Sequence, residues 1–190
     1  MSAVAKALKL IKDEEVEYLD IRFTDPKGKL QHVTLVVDLV DEEFFEEGFM
    51  FDGSSIAGWK SIDQSDMKLM PDASSVYLDP FYAEKTLCVH CDVVEPDTNE
   101  AYDRCPRQIA KKAEAFMKSS GIGETAYFGP EAEFFIFDDV RYSVSPRKVS
   151  YEIDAEAAAW NTDTVTEGGN YGHRAGHKGG YFPVNPIDEA

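Results

Sequence analysis

An α+β fold, with a small first domain built on a β-hairpin and a second domain of helix and sheet, follows from three observations. Residues 3–15 carry apolar side chains at helical spacing, residues 17–37 hold two strand-like runs around a turn, and Pro106 opens a second helical run. Taking the elements in order, Val4, Ala7, Leu8 and Ile11 share one helical face behind Ser2, a residue type that caps helix N-termini. Glu17 to Phe23 and Leu30 to Val37 are strand-like, and Asp25-Pro26-Lys27-Gly28 between them has turn chemistry, which predicts a hairpin. Asp41 to Glu47 reads as a short helical turn stopped by Gly48, and Thr86 to Val94 as a strand. After Glu95-Pro96-Asp97 the pattern changes. Pro106, suited to a first helical position, starts a helix with Ile109, Ala113, Phe116 and Met117 on one face and Gly121 as its stop. Strands are expected at Thr125–Phe128 and, beyond Gly129-Pro130, at Glu131–Phe137. A boundary near residues 96–104 gives domains 1–100 and 101–190, and the second is expected to be incomplete, since Pro183 to Ala190 bring no terminating element.

Charge and composition narrow the function. The 190 residues include 19 Lys and Arg against 36 Asp and Glu, a formal charge of −17, which argues against a nucleic-acid partner because phosphate binding needs a basic footprint. With 43% hydrophobic residues the chain can bury a core. No apolar run approaches the roughly 18 residues of a membrane span, and the N-terminus lacks a signal-peptide pattern, so no membrane association and a cytoplasmic location are expected. Cys88, Cys91 and Cys105 are too few for a disulfide framework. Cys88-Val-His-Cys91 has CxxC spacing, but residues three apart in a strand face opposite sides; buried structural cysteines compete here with a redox or zinc site.

Three segments hold candidate chemistry. In Glu131-Ala132-Glu133, strand alternation puts two carboxylates on one face about 7 Å apart at roughly 3.3 Å per residue. Hard oxygen donors at that spacing suit Mg²⁺ or Mn²⁺; a solvated strand end explains them equally well. The loop Phe51-Asp52-Gly53-Ser54-Ser55-Ile56-Ala57-Gly58-Trp59 either projects Asp52 into a site or is a surface turn capped by Asp52 with Trp59 in the core. It is neither a phosphate-binding P-loop nor a dinucleotide motif. Residues 168–180 hold six of the thirteen glycines together with His173, Arg174, His177 and Lys178, local positive charge that can attract an anion. The glycines speak against a helix, and so against His173 and His177 as a metal pair.

Together these segments resemble bacterial type I glutamine synthetase. The resemblance rests on FDGSS at 51–55 followed by Gln64-Ser65-Asp66-Met67-Lys68-Leu69, on GPEAEFFIFDD at 129–139 and on KGGYFPVNPID at 178–188, and it extends through RFTDPKGKLQHVT and EFFEEGFMFDGSS. It implies a β-grasp-like N-terminal domain followed by the start of an α/β catalytic domain, in two stacked rings of six subunits with active sites shared between neighbours. The implied reaction makes glutamine from L-glutamate, ammonia and ATP through γ-glutamyl phosphate. By the same resemblance Glu131 and Glu133 are metal ligands for Mg²⁺ or Mn²⁺, Glu133 at the glutamate-side ion and Glu131 at the nucleotide-side ion. Asp52 reaches the adjacent subunit's site and helps bind and deprotonate ammonium, Trp59 lies near the nucleotide and Tyr181 beside the ammonium pocket. The family's later metal ligands, nucleotide motif and substrate arginines are absent from these 190 residues, so the chain alone is expected to be inactive. Two other readings are a paralogue that ligates glutamate to another amine, and a non-catalytic module that co-assembles with full-length subunits.

Overall fold

A computed structural model describes residues 1–156 and 158–170. They divide into two compact units, Met1–Tyr127 and Phe128–Ala190. In the first, α1 (Ala3–Asp13) begins where the Ser2 side chain accepts the Ala5 N–H at 3.1 Å, and it presses Ala7 and its flanking apolar residues onto the sheet. Strands β1 (Tyr18–Thr24) and β2 (Leu30–Val36) form the expected hairpin, pairing Tyr18 with Val36 and Thr24 with Leu30. Its turn is held by Asp25, whose carboxylate accepts the N–H groups of Lys27 and Lys29, each at 2.9 Å. The helical turn α2 (Glu42–Glu47) is capped by Asp41 and stopped at Gly48.

Strands β3 (Phe49–Asp52), β4 (Asp66–Pro71), β5 (Tyr77–Leu78) and β6 (Thr86–Val94) complete a mixed sheet in the order β2-β1-β6-β4-β3, with β5 also on β6. Only β1 and β6 run parallel; the other pairs are antiparallel. The central strand β6 is the most apolar and the most buried, as a strand flanked on both edges requires. Leu19, Ile21, Met67, Leu69, Leu87, Val89 and Val93 are completely buried and make the centre of the core. Asp20 is completely buried too, and it is paid for by partners: Arg22 Nε at 2.7 Å, His32 Nδ1 at 2.7 Å and the Thr34 hydroxyl at 2.8 Å. Burial opposes its ionisation, but these donors outweigh that and hold the carboxyl below its usual range. All three cysteines are buried free thiols, and burial pushes Cys88 up to about 11 and Cys91 up to about 12, which removes the redox reading of the CxxC spacing.

Helix α3 (Pro106–Ser119) starts at the expected proline. It is tied to the sheet by charge: Arg107 pairs with Asp72 and, at 2.6 Å, with Asp92, and Lys111 also pairs with Asp92. Its expected apolar face is exposed, with Ile109 at 52% and Phe116 at 67%.

The chain from residue 125 onward corrects two expectations. Residues 125–128 and 131–137 form no strand, and Phe134, Phe135 and Ile136 are exposed rather than buried on both faces. A strand exists by pairing its backbone, and among the described residues no neighbouring strand takes up this segment. The apolar run that predicts burial therefore lies open. The ordered element here is a hairpin that sequence reading passed over, β7 (Asp139–Ser145) with β8 (Lys148–Asp154). No helix among the described residues is long and apolar enough to cross a membrane.

Candidate functional site

Asp52 ends edge strand β3, opposite Asp66 in the ladder with β4. The chain then tightens into a 3-10 turn, Gly53–Ser55. Asp52 caps it: Oδ1 accepts the Ser54 N–H at 2.8 Å and the Ser54 hydroxyl at 2.6 Å. The Ser54 hydroxyl, then its N–H, and a further contribution from the Ser65 hydroxyl hold this exposed carboxyl below its usual range. Gly53 is needed for packing, because a Cβ there would sit 2.4 Å from Sδ of fully buried Met67, while its N–H donates to the Ser65 carbonyl at 2.6 Å. No cation pairs with Asp52 among the described residues. An anionic side chain is thus fixed, ionised and exposed at the end of a rigid sheet.

The far end of the loop is anchored as firmly. Trp59 is 6% exposed, with ring centroids 5.5 Å from both Phe23 and Tyr102 and 6.0 Å from Phe51. Its indole N–H is buried without a hydrogen-bond partner among the described residues. Arg104 donates to the Gly58 carbonyl at 2.6 Å, and Lys60 bonds both oxygens of Glu95 at 2.9 Å while lying over the Tyr102 ring. These anchors join residues far apart in sequence, and no local pattern announces them. Beyond Lys60 an open groove of about 570 Å³ is lined by residues including Asp63, Ser65, Asp66 and Asp97.

A second turn of the same type follows at Asp72-Ala73-Ser74-Ser75. Asp72 Oδ1 accepts the Ser74 N–H at 3.0 Å and the Ser74 hydroxyl at 2.5 Å, and the aspartate backbone (φ −88°, ψ 95°) nearly matches that of Asp52 (φ −82°, ψ 101°). Here the other oxygen, Oδ2, is bound by Arg107. Burial opposes ionisation of Asp72, but Ser74 and Arg107 prevail and bring its carboxyl down to about 2.

Two of the remaining candidates lie in the second unit. Glu131 and Glu133 are exposed on the strandless segment and have no hydrogen bond or ion pair among the described residues. As hard oxygen donors they fit a divalent cation in kind, but among the described residues they join no cluster of three or more such donors. Asp52 and Trp59 stand at the two ends of one loop, residues 52–59, the first exposed and the second buried. Tyr181 and the glycine-rich histidine segment from residue 171 onward lie outside the described residues.

The first domain and the start of the second match family models in sequence order: residues 15–96 match "Glutamine synthetase, beta-Grasp domain" and residues 103–190 match "Glutamine synthetase, catalytic domain". The chain belongs to the glutamine synthetase family. It is 82% identical over all 190 residues to glutamine synthetases of Cereibacter sphaeroides and Rhodobacter capsulatus, and 58% identical over 188 residues to that of Bradyrhizobium diazoefficiens. These matches span 41%, 43% and 40% of those relatives, so the chain corresponds to about two fifths of their length. Among solved structures, Plasmodium falciparum glutamine synthetase aligns with 99% of this chain and 37% of its own at a TM-score of 0.68 and 25% identity. The α+β class and the β-grasp character of the first domain are thereby settled.

Proposed function

We propose that this chain supplies the N-terminal domain, residues 1–100, and the opening of the catalytic domain, residues 101–190, of a cytoplasmic enzyme that joins ammonia to L-glutamate at the expense of ATP. In that reaction the glutamate γ-carboxylate attacks the γ-phosphate of ATP, releasing ADP and giving γ-glutamyl phosphate. Ammonia then displaces phosphate to give L-glutamine. The observation that carries the reading for this chain is the Asp52 turn, a carboxylate held by Ser54 with no counter-cation among the described residues. Such a group attracts NH₄⁺. The carboxylate takes one proton from NH₄⁺, which frees the nitrogen lone pair, and the resulting NH₃ attacks the acyl phosphate.

Glu131 and Glu133 would supply part of the ligand set for divalent ions, Mg²⁺ or Mn²⁺, Glu133 on the glutamate side and Glu131 on the nucleotide side. Bound there, the ions neutralise phosphate charge during transfer. Trp59 anchors the loop end nearest the nucleotide, and Tyr181 belongs beside the ammonium pocket. The assembly is two stacked rings of six, in which Asp52 serves a neighbouring subunit's site. An enzyme rather than a co-assembling module is supported by the Asp52 side chain, which is exposed and packs into no part of the core. The Asp52 turn also favours ammonia over a bulkier amine.

The test is Asp52→Ala in the full-length enzyme. Ammonium use should fall by about 10²-fold or more, as when a group is removed that acts on developing charge, while ATP affinity is retained. An unchanged ammonium dependence would sink the assignment. The 190-residue polypeptide alone, with two metal carboxylates, should release no ADP in response to ammonia.

A further inference from the structure

We propose that Ser54 is a positioning residue for Asp52, its hydroxyl engaging Oδ1 so that the carboxylate meets ammonium through Oδ2. This inference rests on the reading of Asp52 as an ammonium-binding group. The geometry appears twice in the chain. At residues 72–75 the same Asp-x-Ser-Ser turn places the serine N–H and hydroxyl on Oδ1, and a cation, the Arg107 guanidinium, sits on Oδ2. At residues 52–55 the serine contacts are reproduced at 2.8 and 2.6 Å on a nearly identical backbone. The Asp72 turn thus divides its carboxylate between two oxygens, one for the chain and one for a cation, and the Asp52 turn repeats the half that the chain supplies.

The hydroxyl adds something the backbone N–H does not. A single N–H leaves an exposed carboxylate free to rotate about χ2, whereas two donors from one residue fix its plane. The neighbouring charges do not help. Asp66 stands opposite Asp52 in the ladder and repels a second negative charge, Lys68 is paired opposite Met50, and the turn itself carries no charged residue besides Asp52. The Ser65 hydroxyl also interacts with the carboxylate, so Ser54 shares the task with a residue of β4's approach.

Ammonium saturation measured against pH in the full-length enzyme separates positioning from a merely structural role. Ser54→Ala should raise the ammonium KM about tenfold, the scale of one hydrogen bond to a charged group. The acid limb of its kcat/KM should move to higher pH, and the KM for ATP should stay unchanged. Ser54→Thr, which keeps the hydroxyl, should restore the parental profile. Ser54→Cys, nearly isosteric but a weaker donor, should give a smaller shift in the same direction. Ser74→Ala, altering the matching turn away from the site, should leave the ammonium KM and the acid limb unmoved. A folded Ser54→Ala or Ser54→Cys enzyme with the parental acid limb and ammonium KM would overturn the proposal, as would a Ser54→Thr enzyme as impaired as Ser54→Ala. If Asp52→Ala impairs ammonium use and the Ser54 variants do not, only the positioning fails. If Asp52→Ala has no effect, the underlying reading fails first.

Discussion

Residues 52–55 and 72–75 share a local pattern, a backbone conformation and a serine bonded to the same aspartate oxygen, yet their surroundings differ at every remaining contact. Asp72 receives Arg107 from α3, and Ser75 donates to the Asp72 carbonyl at 2.8 Å while accepting the His90 N–H at 2.9 Å. That turn is a fastener between the sheet and a helix. Asp52 receives no cation among the described residues, and Ser55 is exposed. The comparison teaches that a four-residue motif specifies a shape, while distant residues decide whether the shape is used up in holding the fold or remains available for chemistry.

Exchanging aspartates separates the two most strongly. Asp52→Asn should abolish most ammonium-dependent activity with little change in stability. Asp72→Asn should do the reverse, costing about 1–3 kcal/mol because Arg107 loses a charged hydrogen-bonded partner, visible as a lower urea midpoint at unchanged slope. Equal effects of the two on stability would break the comparison. At the second position of each turn, Gly53→Ala drives a Cβ into Met67 and should destabilise by about 1–3 kcal/mol. Ala73→Gly should cost only about 0.5–1 kcal/mol, through added freedom of the unfolded chain. Thermal melts of both variants check the order. The smallest effect is in acid. Because the folded-state carboxyl of Asp72 lies near 2 and its ordinary value is 3.8, the stability it contributes is complete above about pH 4 and is lost as pH falls toward 2. Asp72→Asn should flatten the fall in melting temperature across that window.

Much of the fold was legible in local pattern. The Ser2 cap, the hairpin of β1 and β2, the helix stop at Gly48, β6 and the start of α3 at Pro106 all carry signals within a few residues, and all appear. Strands β3 and β4 escaped because Phe49–Asp52 is short and Asp66–Pro71 mixes charge with a terminal proline; they exist through pairing with each other and with β6. Glu131–Phe137 failed in the opposite sense, with a strong strand signal and no partner strand among the described residues. At the site, the cap by Asp52 and the burial of Trp59 were readable. The repeat of the turn at 72–75 was in plain view as Asp-Ala-Ser-Ser, but its meaning depends on Arg107, and Arg104 and Lys60 anchor the loop across similar distances.

The parallel register of β1 with β6, which pairs Tyr18 with Thr86, also sets a schedule. During synthesis the hairpin of β1 and β2 can zip as soon as it emerges, but its inner edge waits while α2, β3, β4 and β5 are translated. Contacts so distant in sequence close late, after a large loss of chain entropy. Leu19 and Ile21 stay without Leu87 and Val89 through that interval, so the apolar side of the hairpin lies open until β6 arrives.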